Sequence, residues 1–271
     1  MPADRPLILL TNDDGIRSPG LLAAAEAIAG LGELLIVAPT TQQTGMGRST
    51  PHGLQGPITR EVLRVQGQDL PAYALPGTPA QAVVFAIAAL APRRPVLAVA
   101  GINYGENIGS IVTGSGTVGA ALEAAAAGIP ALAVSLETVK EYHYEYVAGL
   151  NWDTAADVTR RLAQVLLART MPFDVDVLNI NVPESATPET PWRITRQSRQ
   201  PYFETFRADQ SEDRLQAQLD YRLAIDWQAT EADSDVRAFA DHLVSITPLS
   251  VDLTSRTDLA ALSRLLQPPG H

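Results

Sequence analysis

The stretch Leu7-Ile8-Leu9-Leu10-Thr11-Asn12-Asp13-Asp14-Gly15, followed closely by Ser18-Pro19, decides how this chain folds. Five uncharged residues, apolar or β-branched, make a compact strand of the kind buried inside a parallel sheet. Ser18 is placed to cap a helix, and Pro19 to occupy its first position. The alanine-rich run then continues to Ala29 and is closed by Gly30 and Gly32. A strand passing through a polar turn into a helix is the opening of a βαβ unit.

Outward from this stretch the same grammar repeats. Leu34–Ala38 reads as a strand ended by Pro39, and Thr78-Pro79 opens a helix to about Leu90. Val96–Ala100 is a further strand, and Thr117–Ala127 a helix stopped by Gly128 and Pro130. Ala131–Leu136 is a strand, Trp152–Ala168 an amphipathic helix, and Val175–Val182 a strand ended by Pro183. The alternation predicts an α/β fold, a mostly parallel sheet with helices on both faces. In such sheets ligands bind beyond the carboxyl ends of the strands. After Pro191 the style changes. Trp192–Gln197 and Val244–Pro248 read as strands, and Asp258–Gln267 as a terminal helix. Residues 1–271 are expected to form a single domain. Within it the polar stretch of about 198–242 is too long for a plain loop. It is expected to be a protruding arm packed on another subunit, the alternative being a β-hairpin folded onto its own.

Charge and composition narrow the function. With 20 Lys and Arg against 30 Asp and Glu, the 271-residue chain carries a formal charge of −10. A nucleic-acid polymer or an anionic membrane as main partner would need a cationic face. A small phosphorylated substrate remains open, because a bound cation inverts the local field. There is no cysteine, which excludes disulfides, zinc thiolates, iron–sulfur clusters and a cysteine nucleophile. Asp13 and Asp14 interrupt the first apolar run too early for a signal peptide or a membrane span. The expectation is a soluble, cytoplasmic protein.

Three loops at strand ends carry chemistry. The first, Thr11–Gly15, puts two carboxylates side by side, which repel unless a cation or hydrogen bonds compensate. The second, Pro39–Gly47, is rich in hydroxyls, amides and glycine. The third runs from Gly101-Ile102-Asn103-Tyr104-Gly105-Glu106-Asn107-Ile108-Gly109 to Gly114-Ser115-Gly116-Thr117-Val118-Gly119 at a helix start. Glycines and helix N-terminal amides there suit a phosphate. Two carboxylates, a hydroxyl and an amide oxygen are hard ligands, fitted to Mg²⁺ or Mn²⁺ rather than zinc. A cation beside a phosphate cradle points to phosphoryl-ester chemistry. Gly114–Gly119 also spells G-x-G-x-x-G, so a dinucleotide-dependent oxidoreductase has to be weighed, with Ile111–Thr113 as its strand and Glu137 as its ribose acid. A nucleotide-binding module without turnover would keep the cradle and not need the Asp13–Asp14 pair. Walker and nucleophile-elbow motifs are absent.

In order along the chain stand Leu-Leu-Thr-Asn-Asp-Asp-Gly-Ile, Val-Ala-Pro, Gly-Thr-Pro, Gly-Ile-Asn-x-Gly-x-Asn-x-Gly, Ser-Gly-Thr-Val-Gly-Ala-Ala, Gly-Ile-Pro-Ala-Leu-Ala-Val-Ser, Leu-Asn-Ile-Asn-Val-Pro and Val-Ser-Ile-Thr-Pro-Leu-Ser-Val-Asp-Leu-Thr. From Leu9 to Thr254 this pattern resembles the SurE family, survival-protein E, of metal-dependent 5′/3′-nucleotidases. The resemblance implies a Rossmann-like three-layer core and a homodimer or tetramer with exchanged C-terminal elements. It implies hydrolysis of nucleoside monophosphates with one divalent ion, Mg²⁺ or Mn²⁺, per subunit. By position the metal ligands would be Asp13, Asp14, Thr44 and Asn103, with Asp13, Asp14 and Asn103 catalytic. Asn12, Gly45, Asn107, Ser115, Gly116 and Thr117 would hold the phosphate. Asp13 is the carboxylate expected to serve as base or nucleophile if either does.

Three positions depart from the family pattern. Thr44 stands where Ser is usual. Ala80-Gln81-Ala82 follows Gly-Thr-Pro where x-Asp-Cys is frequent. Ile111-Val112-Thr113-Gly114 replaces Asp-Val-x-Tyr before Ser-Gly-Thr. His52 is expected on a solvent-facing loop, His242 has no assigned role, and His143 lies in the aromatic run 142–146. Tyr202, Phe203 and Phe206 begin the arm, placed for subunit packing or for contact with a base.

Overall fold

The structure, a computed structural model, describes residues 5–139, 142, 146, 149–209 and 214–267. His143 and its neighbours Tyr144 and Glu145 therefore lie outside the described residues. The opening strand β1 spans Leu7–Thr11, β2 Glu33–Pro39, β3 Thr59–Val65, β4 Gln68–Leu75, β5 Leu97–Tyr104, β6 Ala131–Leu136 and β7 Val177–Val182. β8 (Trp192–Ile194) and β11 (Val244–Leu249) complete the sheet, while β9 (Phe203–Arg207) pairs only with β10 (Leu219–Leu223). The helices are α1 Pro19–Ile28, α2 Pro79–Phe85, α3 Gly116–Ala126, α4 Asp153–Ala168, α5 Asp235–Ala240 and α6 Leu259–Leu265.

Among the described residues nine strands form one sheet in the order β3-β4-β2-β1-β5-β6-β7-β11-β8. β4, β2, β1, β5, β6 and β7 run parallel, and β3 and β11 run antiparallel to their neighbours β4 and β7. Alternate residues of β1 serve opposite faces. Ile8 and Leu10 pack with α1 and α4, and Leu7 and Leu9 with α2 and α3. Three layers result, and the apolar run of β1 is continuous because both of its faces are covered. The expected α/β fold with a mostly parallel sheet is thus the observed one. The chain leaves β1 for β2 on one side and returns to β5 on the other. The crevice at the carboxyl ends of β1 and β5 is therefore the topological switch point.

The caps form as the sequence indicates. Ser18 Oγ accepts from Gly20 N at 3.2 Å. Thr78 and Gln81 make a reciprocal capping box, with Thr78 N donating to Gln81 Oε1 at 2.9 Å and Gln81 N to Thr78 Oγ1 at 3.1 Å. At Gln81, where the family often has a carboxylate, the side-chain amide also donates to the carbonyls of Pro51 and Gly53 at 2.7 and 2.8 Å. A carboxylate has no donor for those two contacts.

Several boundaries moved. β5 runs through Gly101 to Tyr104, past the expected end at Ala100, with a register shift between Ala100 and Asn103. An irregularity of this kind re-aims the residues that follow it. Gly101 is required there. Its φ is +134°, and a Cβ would lie 2.3 Å from the Val134 carbonyl oxygen. The expected strand at Ile111–Thr113 is instead part of a 3₁₀ segment, Gly109–Gly114. The G-x-G-x-x-G stretch thus has no strand leading into it, as the dinucleotide reading required. β8 ends at Ile194, short of Gln197, with an isolated bridge from Arg196 to Ser234 beyond it. The edge hairpin β3–β4 had no counterpart in the sequence reading. It turns on Gln66 and Gly67, both at positive φ. Among the described residues no helix is long and apolar enough to cross a membrane.

Candidate active site

The switch-point crevice holds a cavity of about 470 Å³. Asp13, Thr44, Asn103, Asn107 and Ser115 line one part of it, while Phe203, Thr205 and Tyr221 of the β9–β10 hairpin line another. Five residues singled out from sequence for metal or phosphate are therefore brought together from four distant segments. Gly45 lines it as well, and both Thr44 and Gly45 sit on the exposed rim.

The turn after β1 is locked from within. Asn12, fully buried, accepts from Gly15 N and donates to the Gly15 carbonyl, both at 3.1 Å. Its side chain holds the turn. Gly15 sits at φ +106°, a conformation that favours glycine. Asp13 Oδ1 accepts a short hydrogen bond from Thr117 Oγ1, and the backbone N–H groups of Thr117 and Gly116 also reach its carboxylate. The N-terminus of α3, read from sequence as a phosphate cradle, is in part engaged with Asp13. Gly116 is glycine because a Cβ there would lie 2.8 Å from Asp13 Cβ. Thr117 is fully buried with its hydroxyl on Asp13, whereas Ser115 lines the cavity while its Oγ accepts from Val118 N at 3.2 Å.

Asp14 is held by the protein on both oxygens. Gln42 Nε2 donates to Oδ1 at 3.1 Å and Tyr104 N to Oδ2 at 3.3 Å. Tyr146 O–H donates to the Asp14 carbonyl at 2.7 Å. Burial pushes the Asp13 carboxyl up to about 6, against the pull of its Thr117 and Gly116 donors. Burial, and then the neighbouring charge of Asp13, pushes Asp14 well above the usual carboxylate range. No Lys or Arg among the described residues offsets that charge within an ion pair.

Beyond the hydrogen bonds that both carboxylates accept, the oxygen donors around them would suit a hard cation. Asn103 Nδ2 donates to the carbonyls of Tyr104 and Gly105 at 3.0 and 2.7 Å. The remaining polar atom of that side chain is the oxygen Oδ1. Among the described residues no group of three or more His, Cys, Asp or Glu could hold a metal. The candidate donors are carboxylate, hydroxyl and amide oxygens, which fits Mg²⁺ or Mn²⁺.

Asn107 is fixed from two strands. Its Nδ2 donates to Ser135 Oγ at 2.9 Å, its N to Asn181 Oδ1 at 2.7 Å, and its carbonyl accepts from Asn179 Nδ2 at 2.8 Å. Asn179 and Asn181 fall in the Leu-Asn-Ile-Asn-Val-Pro match but had no role assigned from sequence. Their signal was two amides at alternate positions of an otherwise apolar strand, buried completely. Gln42 and Asp235 were missed as well. Asp235 accepts from Gly109 N at 2.9 Å and Ser198 N at 2.8 Å, tying the loop after β5 to the later segment. Tyr202 is buried with Ile108, Val236 and Phe239, and Phe203 packs against this group, so the base of the 198–242 stretch packs on its own chain. His52 is exposed, and His242 occupies a turn at φ +55°.

The fold and this site define an α/β protein with an oxygen-ligand cavity at the switch point of its sheet. The family model for survival protein SurE matches residues 8–204, and the chain belongs to that family. A protein of Methanothrix thermoacetophila named 5′-nucleotidase SurE is 39% identical, covering 96% of this chain and 98% of its own. The protein of the same name from Thermococcus gammatolerans is also 39% identical, over 96% and 95%. The crystal structure of the SurE protein from Aquifex aeolicus superposes with a TM-score of 0.73 at 30% identity, covering 97% of this chain and all of that one.

Proposed function

We propose that this protein is a metal-dependent phosphomonoesterase that hydrolyses nucleoside 5′-monophosphates, and 3′-monophosphates as well, to nucleoside and phosphate. One observation carries the reading. Asp13, Asn103, Asn107 and Ser115 line the same cavity as the aromatic wall of Phe203 and Tyr221. A ligand with a phosphate at one end and a flat base at the other matches that division. The names of the relatives support it independently.

Asp13, Asp14, Thr44 and Asn103 would hold one Mg²⁺ or Mn²⁺ per subunit. When bound, such an ion neutralises charge developing on the phosphoryl oxygens. The chain's own residues supply the rest. Asn107, fixed by Ser135, Asn179 and Asn181, holds a phosphate oxygen with little freedom to lose, and Ser115 presents a hydroxyl beside it. Asp13 lines the cavity, whereas both oxygens of Asp14 are held by Gln42 and Tyr104. Asp13 is therefore the carboxylate placed to attack phosphorus or to take a proton from water, and Asp14 supports it. Gly116 and Thr117 act on phosphate through Asp13, Asn12 through the turn, and Gly45 by shaping the rim.

The assembly we propose is a homodimer or tetramer joined through the arm of about 198–242 and exchanged C-terminal elements, in the cytoplasm. Its support is the segment after β11. No residue of α6 is buried, and Leu253 and Leu265 are 86% and 79% exposed. Apolar surface of that kind is normally covered.

The test is phosphate release from AMP and from p-nitrophenyl phosphate with Mn²⁺, with Mg²⁺ and with chelator. Release that needs the ion supports the proposal. Nucleotide binding without release under every condition refutes turnover.

A further inference from the structure

Glu106 sits on the loop after β5, one residue from Asn107 and three from Asn103, and it lines the cavity. Its Oε1 accepts from the Tyr202 hydroxyl at 2.5 Å. Its Oε2 is buried and, among the described residues, has no hydrogen-bond partner. Burial holds the carboxyl above its ordinary range, and the charge of Glu137 adds to this. A buried acceptor left without a donor costs stability, and in a cavity wall it marks a place where a ligand donor belongs.

The position of Glu106 indicates which donor. On one side are the residues that would take phosphate. On the other, Tyr202 stacks edge-on against Phe203 at 4.7 Å, and Phe203 against Tyr221 at 5.1 Å. Along a nucleoside monophosphate the order is phosphate, sugar, base. Glu106 falls at the sugar, whose donors are its hydroxyls, and an acidic side chain on a ribose hydroxyl is a known mode of nucleotide recognition.

We propose that Glu106, held by Tyr202, accepts a hydrogen bond from a ribose hydroxyl and makes this site select ribonucleotides over deoxyribonucleotides. The proposal deepens the nucleotidase reading and rests on it.

The experiment compares kcat/KM for AMP, 2′-deoxy-AMP, 3′-deoxy-AMP and p-nitrophenyl phosphate in the unmodified protein, Glu106→Leu and Glu106→Gln. The unmodified protein should favour AMP over at least one deoxy analogue by about tenfold, as for loss of one hydrogen bond to a charged group. Glu106→Leu should shrink that ratio to below about threefold, mostly through KM for AMP, because leucine offers no acceptor. Glu106→Gln should give an intermediate ratio. In both variants the loss on AMP should exceed that on p-nitrophenyl phosphate. Equal rates for AMP and both deoxy analogues in the unmodified protein would overturn the assignment and leave the nucleotidase reading intact. So would a Glu106→Leu defect of the same size on every substrate, which is what mere support of the loop would produce. No phosphate release from any of the four substrates defeats the nucleotidase reading, and this proposal with it.

Discussion

The loops at the carboxyl ends of β1 and β5 and the segment from Val251 to Gln267 are opposites. In the first, polar groups are buried. Asn12 and Thr117 are fully inaccessible, and Asp13 and Asp14 nearly so. In the second, apolar groups are exposed, with Leu253, Leu259, Leu265 and Leu266 all outside. Both regions depart from the ordinary partition of residues between core and surface. The departures differ in kind. A buried polar group must be matched by hydrogen bonds or by a ligand; here Asn12, Asp13, Asp14 and Thr117 are hydrogen-bonded, while Glu106 Oε2 has no partner among the described residues. An exposed apolar group makes no such demand within its own chain, and the proposed assembly would cover these leucines from outside. One departure bears on the proposed chemistry and the other on the proposed interface.

Three measurements would break or sharpen that contrast. The largest effect belongs to Asp13→Asn. With Mn²⁺ present its kcat on AMP should fall by roughly 10³-fold, as expected for loss of a group acting at the reacting phosphorus. In metal-free protein above pH 7, the same variant should melt at the same temperature or higher, because it removes a desolvated charge that no cation compensates. A variant with near-normal kcat would remove Asp13 from the chemistry.

Next is the exposed tail. Leu259→Ser combined with Leu265→Ser should reduce the particle mass in light scattering to that of one chain, with the chain still folded by circular dichroism. A monomeric unmodified protein, or an unchanged oligomer in the variant, would show that these leucines do not form the interface.

The smallest effect is a pH dependence. Burial raises the Asp13 carboxyl to about 6, above the ordinary aspartate value of about 4. Between those values the folded protein keeps a proton that the unfolded chain releases. Stability of the metal-free protein should therefore fall as pH rises from about 4 to about 6, and Asp14, pushed well above its ordinary range, should prolong the fall beyond that window. A loss of about 5 °C in Tm across that window is the expected size for a chain of this length. Saturating Mn²⁺ should reduce the fall, since the ion favours the charged form. A rise in Tm across the same window in metal-free protein would contradict the burial of this carboxyl.

Much of the fold was legible because its elements announce themselves locally. Ser18-Pro19 and Thr78-Pro79 are caps whose hydrogen bonds close within three residues, so no distant contact is needed to read them. β1 and β6 are buried at every position and carry apolar residues on both faces, because both faces are covered. The β3–β4 hairpin was not legible for the converse reason. It lies at the sheet edge, its exposed positions mix Arg60, Arg64 and Asp69 with Thr59, Val62 and Gln68, and Pro71 interrupts the pattern. The helical reading of Thr117–Ala127 survived, but its N-terminus took on an unforeseen task in seating Asp13. Asp235 and Asn181 illustrate the limit. Each grips a backbone N–H of the loop after β5 from more than seventy residues away, and no local pattern reports such a pairing.

By itself the amino-acid sequence determined the α/β layering and the strand-end position of the carboxylate pair, because periodicity, caps and side-chain chemistry are properties of short segments. Only the tertiary structure decided that Asp13 lines the cavity while Asp14 is held on both oxygens, that Thr117 serves Asp13, and that Glu106 meets Tyr202. Those outcomes depend on which distant groups are brought within hydrogen-bond reach, and on how much water is left between them, and packing alone sets both.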